Sequence, residues 1–170
     1  MPESNLNLSG VELLDATEAT FEPRIVAFFC TWCTYMAADL AGTSRMRYAP
    51  NVRVIRVMCS GRIDPQFVLT AYADGADGVL IGGCHPGDCH YQEGNYNCLR
   101  RARLLKRLLQ ELGIEEERFR LEWISAAEGD RLRAVINDMV KKLKELGPLH
   151  MKRETTLGAI HLRQPALQEV

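Results

Sequence analysis

No stretch of this chain is apolar for long enough to cross a bilayer; the longest such run, around Phe28, falls well short of the ~20 residues a transmembrane helix needs. Charge of one sign is not in excess either. Lys and Arg number 21 against 22 Asp and Glu, and the resulting net charge of −1 argues against a general nucleic-acid binder, which would be basic over much of its surface. The opening Met1-Pro-Glu-Ser-Asn-Leu6 has neither the basic start nor the apolar stretch of a secretory signal, so a cytoplasmic chain is expected. Signatures of catalysis are missing too. No Gly-x-Gly-x-x-Gly follows a strand, and there is no nucleophile elbow and no phosphate-binding Walker sequence, so no catalytic residue is assigned. Internal repeats and low-complexity tracts are likewise not evident.

Cysteine is what the chain does have. In a reducing compartment, six cysteines are better read as metal ligands or redox thiols than as structural disulfides. Five of them sit where apolar, strand-like runs give way to loops. Cys30 ends Arg24-Ile-Val-Ala-Phe-Phe29, and Cys33 follows it. Cys59 ends Val52-Arg-Val-Ile-Arg-Val-Met58. Cys84 ends Gly78-Val-Leu-Ile-Gly-Gly83, and Cys89 follows across His-Pro-Gly-Asp.

The rest of the chain explains why those places matter. Residues 1–22 read as a weakly structured leader with one short apolar cluster, Val11-Glu-Leu-Leu14. From residue 23 to 148, short strands alternate with helices. Strands are expected at 24–29, 52–58, 78–82 and 119–124, and helices near 34–47, 65–73, 96–112 and 128–146. Asp64-Pro65 supplies a carboxylate cap and a proline at the first helical position, and Gly113 and Gly147 mark helix ends. Such alternation indicates βαβ units: one α/β domain with a small open parallel sheet of about four strands and flanking helices, flavodoxin-like or Rossmann-like. Residues 149–170 break the pattern and read as an extended C-terminal tail that binds a partner. In an open parallel sheet the carboxyl ends of the strands share one edge, where ligands bind. Three thiol-bearing strand ends should therefore converge.

Thiolate clusters need soft anionic ligands from separate parts of the chain and tight loops around them. Gly82, Gly83, Pro86 and Gly87 provide such loops, and four cysteines suit [2Fe–2S], [4Fe–4S] or zinc. An iron–sulfur centre on four of Cys30, Cys33, Cys59, Cys84 and Cys89 is the expectation. Cys59 is the least certain, since it has no neighbouring thiol in the sequence. Cys98, at the start of the long helix, reads as a small helix-face residue. His85 and His90 are assigned hydrogen-bonding roles around the thiols, and Trp32 shields them or faces a partner. The alternative is a thioredoxin-like dithiol protein using Cys30 and Cys33, or a zinc-stabilised interaction module.

Several stretches carry a closer likeness. Cys30-Thr-Trp-Cys33, Arg56-Val-Met-Cys-Ser-Gly-Arg-Ile-Asp-Pro65, Gly82-Gly-Cys-His-Pro-Gly-Asp-Cys-His-Tyr91, Gly94-Asn-Tyr96 and Leu121-Glu-Trp-Ile-Ser-Ala126 resemble the delta subunit of methyl-viologen-reducing hydrogenase. The resemblance spans about residues 22–148. It implies a non-catalytic iron–sulfur subunit with a [2Fe–2S] cluster on the five mapped cysteines, one of them spare. It also implies electron transfer between a hydrogenase or formate dehydrogenase module and the flavin-containing subunit of an electron-bifurcating heterodisulfide reductase complex, in an anaerobe and often a methanogen. Cys98 falls outside the family's pattern. The donor, H2 or formate, is not legible in the sequence.

Overall fold

The computed structural model describes residues 21–150. The expectations for the leader and the tail lie almost wholly outside them. The elements run β1 (Ile25–Cys30), α1 (Thr34–Thr43), β2 (Val52–Val57), α2 (Pro65–Ala73), β3 (Gly78–Gly83), α3 (Gly94–Glu111), β4 (Phe119–Trp123) and α4 (Gly129–Leu146). Short 3₁₀ turns at Ser60–Arg62 and Glu116–Arg118 precede α2 and β4.

The four strands form one parallel sheet in the order β2-β1-β3-β4. Side-chain alternation divides the core into two layers. Phe28, Val79, Ile81 and Phe119 face one way and pack with Val68 and Tyr72 of α2 and Cys98, Ala102, Leu105 and Leu109 of α3. Ile25, Ala27, Phe29 and Leu80 face the other way, against Ala37 of α1 and Leu132, Ile136, Met139 and Leu143 of α4. This is a doubly wound sheet, and its order matches the flavodoxin-like pattern over four strands. The chain moves from β1 outward to β2, then crosses back past β1 to β3. The helices after β1 and β3 therefore leave on opposite faces, and a crevice opens between them at the carboxyl edge.

Local chemistry sets the helix ends. The Asp64 carboxylate accepts from the Gln66 amide at 2.9 Å, and Pro65 occupies the first turn of α2. Gly75 and Gly113, both with positive φ, close α2 and α3. The amide after each reaches back five residues, from Ala76 to the Ala71 carbonyl and from Ile114 to Leu109. Helix α1 stops at Thr43 rather than near residue 47 because Arg45 adopts the same left-handed conformation (φ 54°). Its amide bonds the Gly42 carbonyl, and the next amide, of Met46, bonds Ala41. An arginine in that position gives no sequence signal of a stop. Helix α3 buries one stripe. Cys98, Ala102, Leu105 and Leu109 are inside, whereas Leu104 and Leu108 are exposed, because spacings of three and four residues select one face.

Candidate metal centre

All three expected strand ends do converge. β1 places Cys30 at its last residue, beside the Gly82–Gly83 end of β3, and Cys84 follows directly. The Sγ atoms of Cys30 and Cys84 are 3.8 Å apart. Cys33, at the cap of α1, brings its sulfur into the same group, so that the sulfurs of Cys30, Cys33 and Cys84 lie within 4.8 Å of one another. Cys59, beyond β2, meets Cys89 with Sγ atoms 3.9 Å apart. All five thiols are buried. Thirty residues separate Cys59 from Cys89, and Cys59 thus gains in space the partner that it lacks in sequence.

The loop after β3 is shaped by its own residues. Pro86 and Gly87 (φ 96°) form the centre of a turn closed by the Asp88 amide on the His85 carbonyl at 3.0 Å. That reversal returns Cys89 towards the sheet edge. Asn95, itself buried, donates from Nδ2 to the carbonyls of Cys84 (3.3 Å) and His85 (2.7 Å). His85 contacts the Glu128 carboxylate through Nε2 at 2.7 Å, and Glu128 also accepts from the Ser125 amide at 2.6 Å. His90 stacks on Trp32 with centroids 3.8 Å apart, and the Trp32 indole N–H donates to the Tyr91 hydroxyl at 3.3 Å. Trp32 remains 44% exposed, so this aromatic group is the outer wall of the site.

Electrostatics within the thiol group follow from crowding. Hydrogen bonds from the thiols of Cys33 and Cys84 pull Cys30 far below the usual thiol range. The same arrangement raises Cys33 to about 11, because its proton is held on Cys30, and raises Cys84 further. Cys59 is raised by burial, then by the charges of Cys89 and Cys30. Without a cation the group thus favours one thiolate, and a bound metal is what would allow several to ionise together. Cys98 stands apart in the α3 core, raised to about 11 by burial, with Ser60 as its polar neighbour. Among the described residues, no helix is long and apolar enough to cross a membrane.

Several contributors to the site had no sequence signal of their own. Thr34, fully buried, faces the Cys33 sulfur at 3.6 Å and donates to the Ile124 carbonyl at 3.4 Å. Gly82 makes room for it, since a Cβ there would lie 2.4 Å from Thr34 Cγ2. Glu128 gives the region a pH dependence. The Ser125 amide and then His85 hold its carboxyl at about 2, below its ordinary 4.5. A depressed carboxylate contributes stability that is complete above its unfolded value and is lost as pH falls towards the folded one. Glu128→Gln should therefore flatten the decline in urea midpoint between pH 4.5 and about 2. An unchanged acid limb in that variant would show that Glu128 contributes nothing to it.

Residues 25–147 match the family of the methyl-viologen-reducing hydrogenase delta subunit. The chain is 57% identical over 135 residues to the iron-sulfur subunit of the F420-non-reducing hydrogenase vhc of Methanococcus voltae, covering 79% of this chain and 94% of that one. It is 55% identical over 133 residues to the iron-sulfur subunit of the F420-non-reducing hydrogenase of Archaeoglobus profundus, covering 78% and 97%. A third relative, from Methanosarcina acetivorans, is a subunit of the ferredoxin/F420H2-dependent CoB-CoM heterodisulfide reductase and is 53% identical over 127 residues. That match is 75% of this chain and 16% of the relative. The chain belongs to the methyl-viologen-reducing hydrogenase delta subunit family.

Proposed function

We propose that this chain is an electron-relay subunit that holds a [2Fe–2S] cluster on thiols at the carboxyl edge of its sheet. The observation that carries the proposal is the meeting of the β1, β2 and β3 ends as two close sulfur pairs. Two thiolates on one tetrahedral metal, with bonds of about 2.3 Å, stand about 3.8 Å apart. Cys30 with Cys84 (3.8 Å) and Cys59 with Cys89 (3.9 Å) both meet that spacing. The assignment is one iron on each pair, with Cys33 as the fifth thiol, facing the Thr34 hydroxyl. On this proposal Cys33 is the thiol to spare, although its sulfur lies within 4.8 Å of those of Cys30 and Cys84, and Cys59 is a ligand through its contact with Cys89.

The names of the relatives support a hydrogenase and a heterodisulfide reductase as partners. Two are hydrogenase iron–sulfur subunits, and in the Methanosarcina protein the matching stretch is part of a longer heterodisulfide reductase chain. The finer reading, which rests on the sequence resemblance, is that the chain passes single electrons from a hydrogenase or formate dehydrogenase module to a flavin-containing heterodisulfide reductase subunit. The cytoplasm is the proposed location.

Anaerobically purified full-length chain should be brown, contain roughly two irons and two acid-labile sulfides, and give an S = 1/2 EPR signal on reduction. Stoichiometric zinc in a colourless protein would instead support a zinc module, and roughly four irons would rule out the two-iron centre.

A further inference from the structure

We infer that the first two residues of α3, Gly94 and Asn95, position the thiol centre, with Gly94 seating the Cys59 sulfur where a side chain would otherwise stand. The inference rests on the metal-centre reading above, but its geometry belongs to the protein alone. A Cβ built on Gly94 would lie 2.2 Å from Cys59 Sγ and 3.1 Å from Cys89 Sγ. The first distance is far inside any carbon–sulfur contact. Gly94 is not among the glycines with positive φ, so its backbone does not call for glycine. What glycine supplies here is room, at a position where a side chain would favour the helix more.

The same turn ties in the other loops. Gly61, two residues after Cys59, packs backbone to backbone on Gly94; a Cβ on Gly61 would lie 2.7 Å from the Gly94 carbonyl oxygen and 2.8 Å from its Cα. Arg101, two turns further along α3, donates to the Gly61 carbonyl at 2.6 Å and holds that contact closed. Asn95 clamps the Cys84–His85 backbone through its two Nδ2 bonds, while its Oδ1 accepts from the Tyr96 amide at 2.9 Å. One helix start therefore touches the loop after β2, the loop after β3 and the sulfurs of Cys59 and Cys89. Neither residue is a ligand; both fix where ligands stand, and such outer contacts control affinity and potential.

A double-mutant cycle tests the seat. In iron-free full-length chain, Gly94→Ala should lower the urea midpoint clearly. The same change in a Cys59→Gly background, where the colliding sulfur is gone, should lower it much less. If Gly94→Ala alone does not fold, recovery of folding in the double variant is the same result in stronger form. In iron-loaded chain, Gly94→Ala should weaken iron retention against a chelator by roughly tenfold and alter the reduced EPR spectrum. Asn95→Ala should shift the midpoint potential, because it frees the carbonyls flanking the Cys84 sulfur. Additive effects of Gly94→Ala and Cys59→Gly, together with wild-type iron retention, spectrum and potential in Gly94→Ala and Asn95→Ala, would overturn the inference while leaving the iron centre in place. Zinc or no metal in the wild-type chain, with non-additivity intact, would sink the cluster reading and leave the seat standing.

Discussion

Cys84→Ser should strip the chain of its iron, and Cys59→Ser and Cys89→Ser should do the same. Cys84 shares the 3.8 Å contact with Cys30, and the other two form the 3.9 Å pair. A serine oxygen in any of these places is a hard, weakly acidic substitute for a soft thiolate. Iron per chain should fall from roughly two to background, with loss of the visible absorption and the EPR signal. Cys33→Ser should behave differently. Its sulfur already has the Thr34 hydroxyl as a neighbour at 3.6 Å, and a serine there can keep that contact. Iron content should stay near that of the wild type, with a changed spectrum. Cys98→Ser should leave both unchanged, since Cys98 lies in the α3 core. Full iron in Cys59→Ser together with none in Cys33→Ser would exchange the roles of those two thiols.

How much of this was legible depends on whether the determining contact is local. The four strands and four helices follow from short-range pattern, and their bounds agree with the expected ones within a few residues. The convergence of three strand ends follows from topology, because a parallel sheet sends all its carboxyl ends to one edge. Pairing within that edge is a different matter. Cys59 and Cys89 meet because the Pro86–Gly87 turn reverses the loop after β3 and because Gly94 leaves space, and neither fact has a periodicity. Gly94 lies just before the helix expected at 96–112 but is the first residue of α3, and no spacing marks it as part of the site. Asn95 reads as one polar residue among several, although its amide holds the cysteine loop. In α3 four leucines fall in two adjacent pairs, and the packing of the helix on the sheet selects Leu105 and Leu109 over Leu104 and Leu108.

Arg118 is the extreme instance, and it yields the largest expected effect on stability. It ends the acidic run Glu115-Glu-Glu117 and reads as a solvated charge, yet it is 1% exposed. Its guanidinium lies at the amino edge of the sheet and joins three segments. Nε donates to the Glu115 carboxylate at 2.7 Å, Nη1 to the Asp77 carbonyl at 3.2 Å and Nη2 to the Gly147 carbonyl at 3.0 Å. Asp77 extends the network, its carboxylate accepting from the Arg24 amide at 2.8 Å and the Leu149 amide at 3.1 Å. The start of β1, the start of β3 and the end of α4 are thereby pinned together. Arg118→Met keeps much of the volume but leaves the Asp77 and Gly147 carbonyls without this donor. Glu115 is partly exposed and can turn to water, which places the cost near the low end for a broken buried pair, about 3 kcal/mol. With a typical urea slope, the midpoint should fall by roughly 1.5 M. The cysteines stand at the opposite edge of the sheet, so iron content, EPR spectrum and potential of the folded variant should match those of the wild type. A fall in stability with an unaltered metal centre would show that the two ends of the sheet are independent, one holding the fold and the other the thiols. A shifted spectrum in Arg118→Met would instead mean that the amino-edge network sets the positions of β1 and β3 along their whole length, through to Cys30 and Cys84.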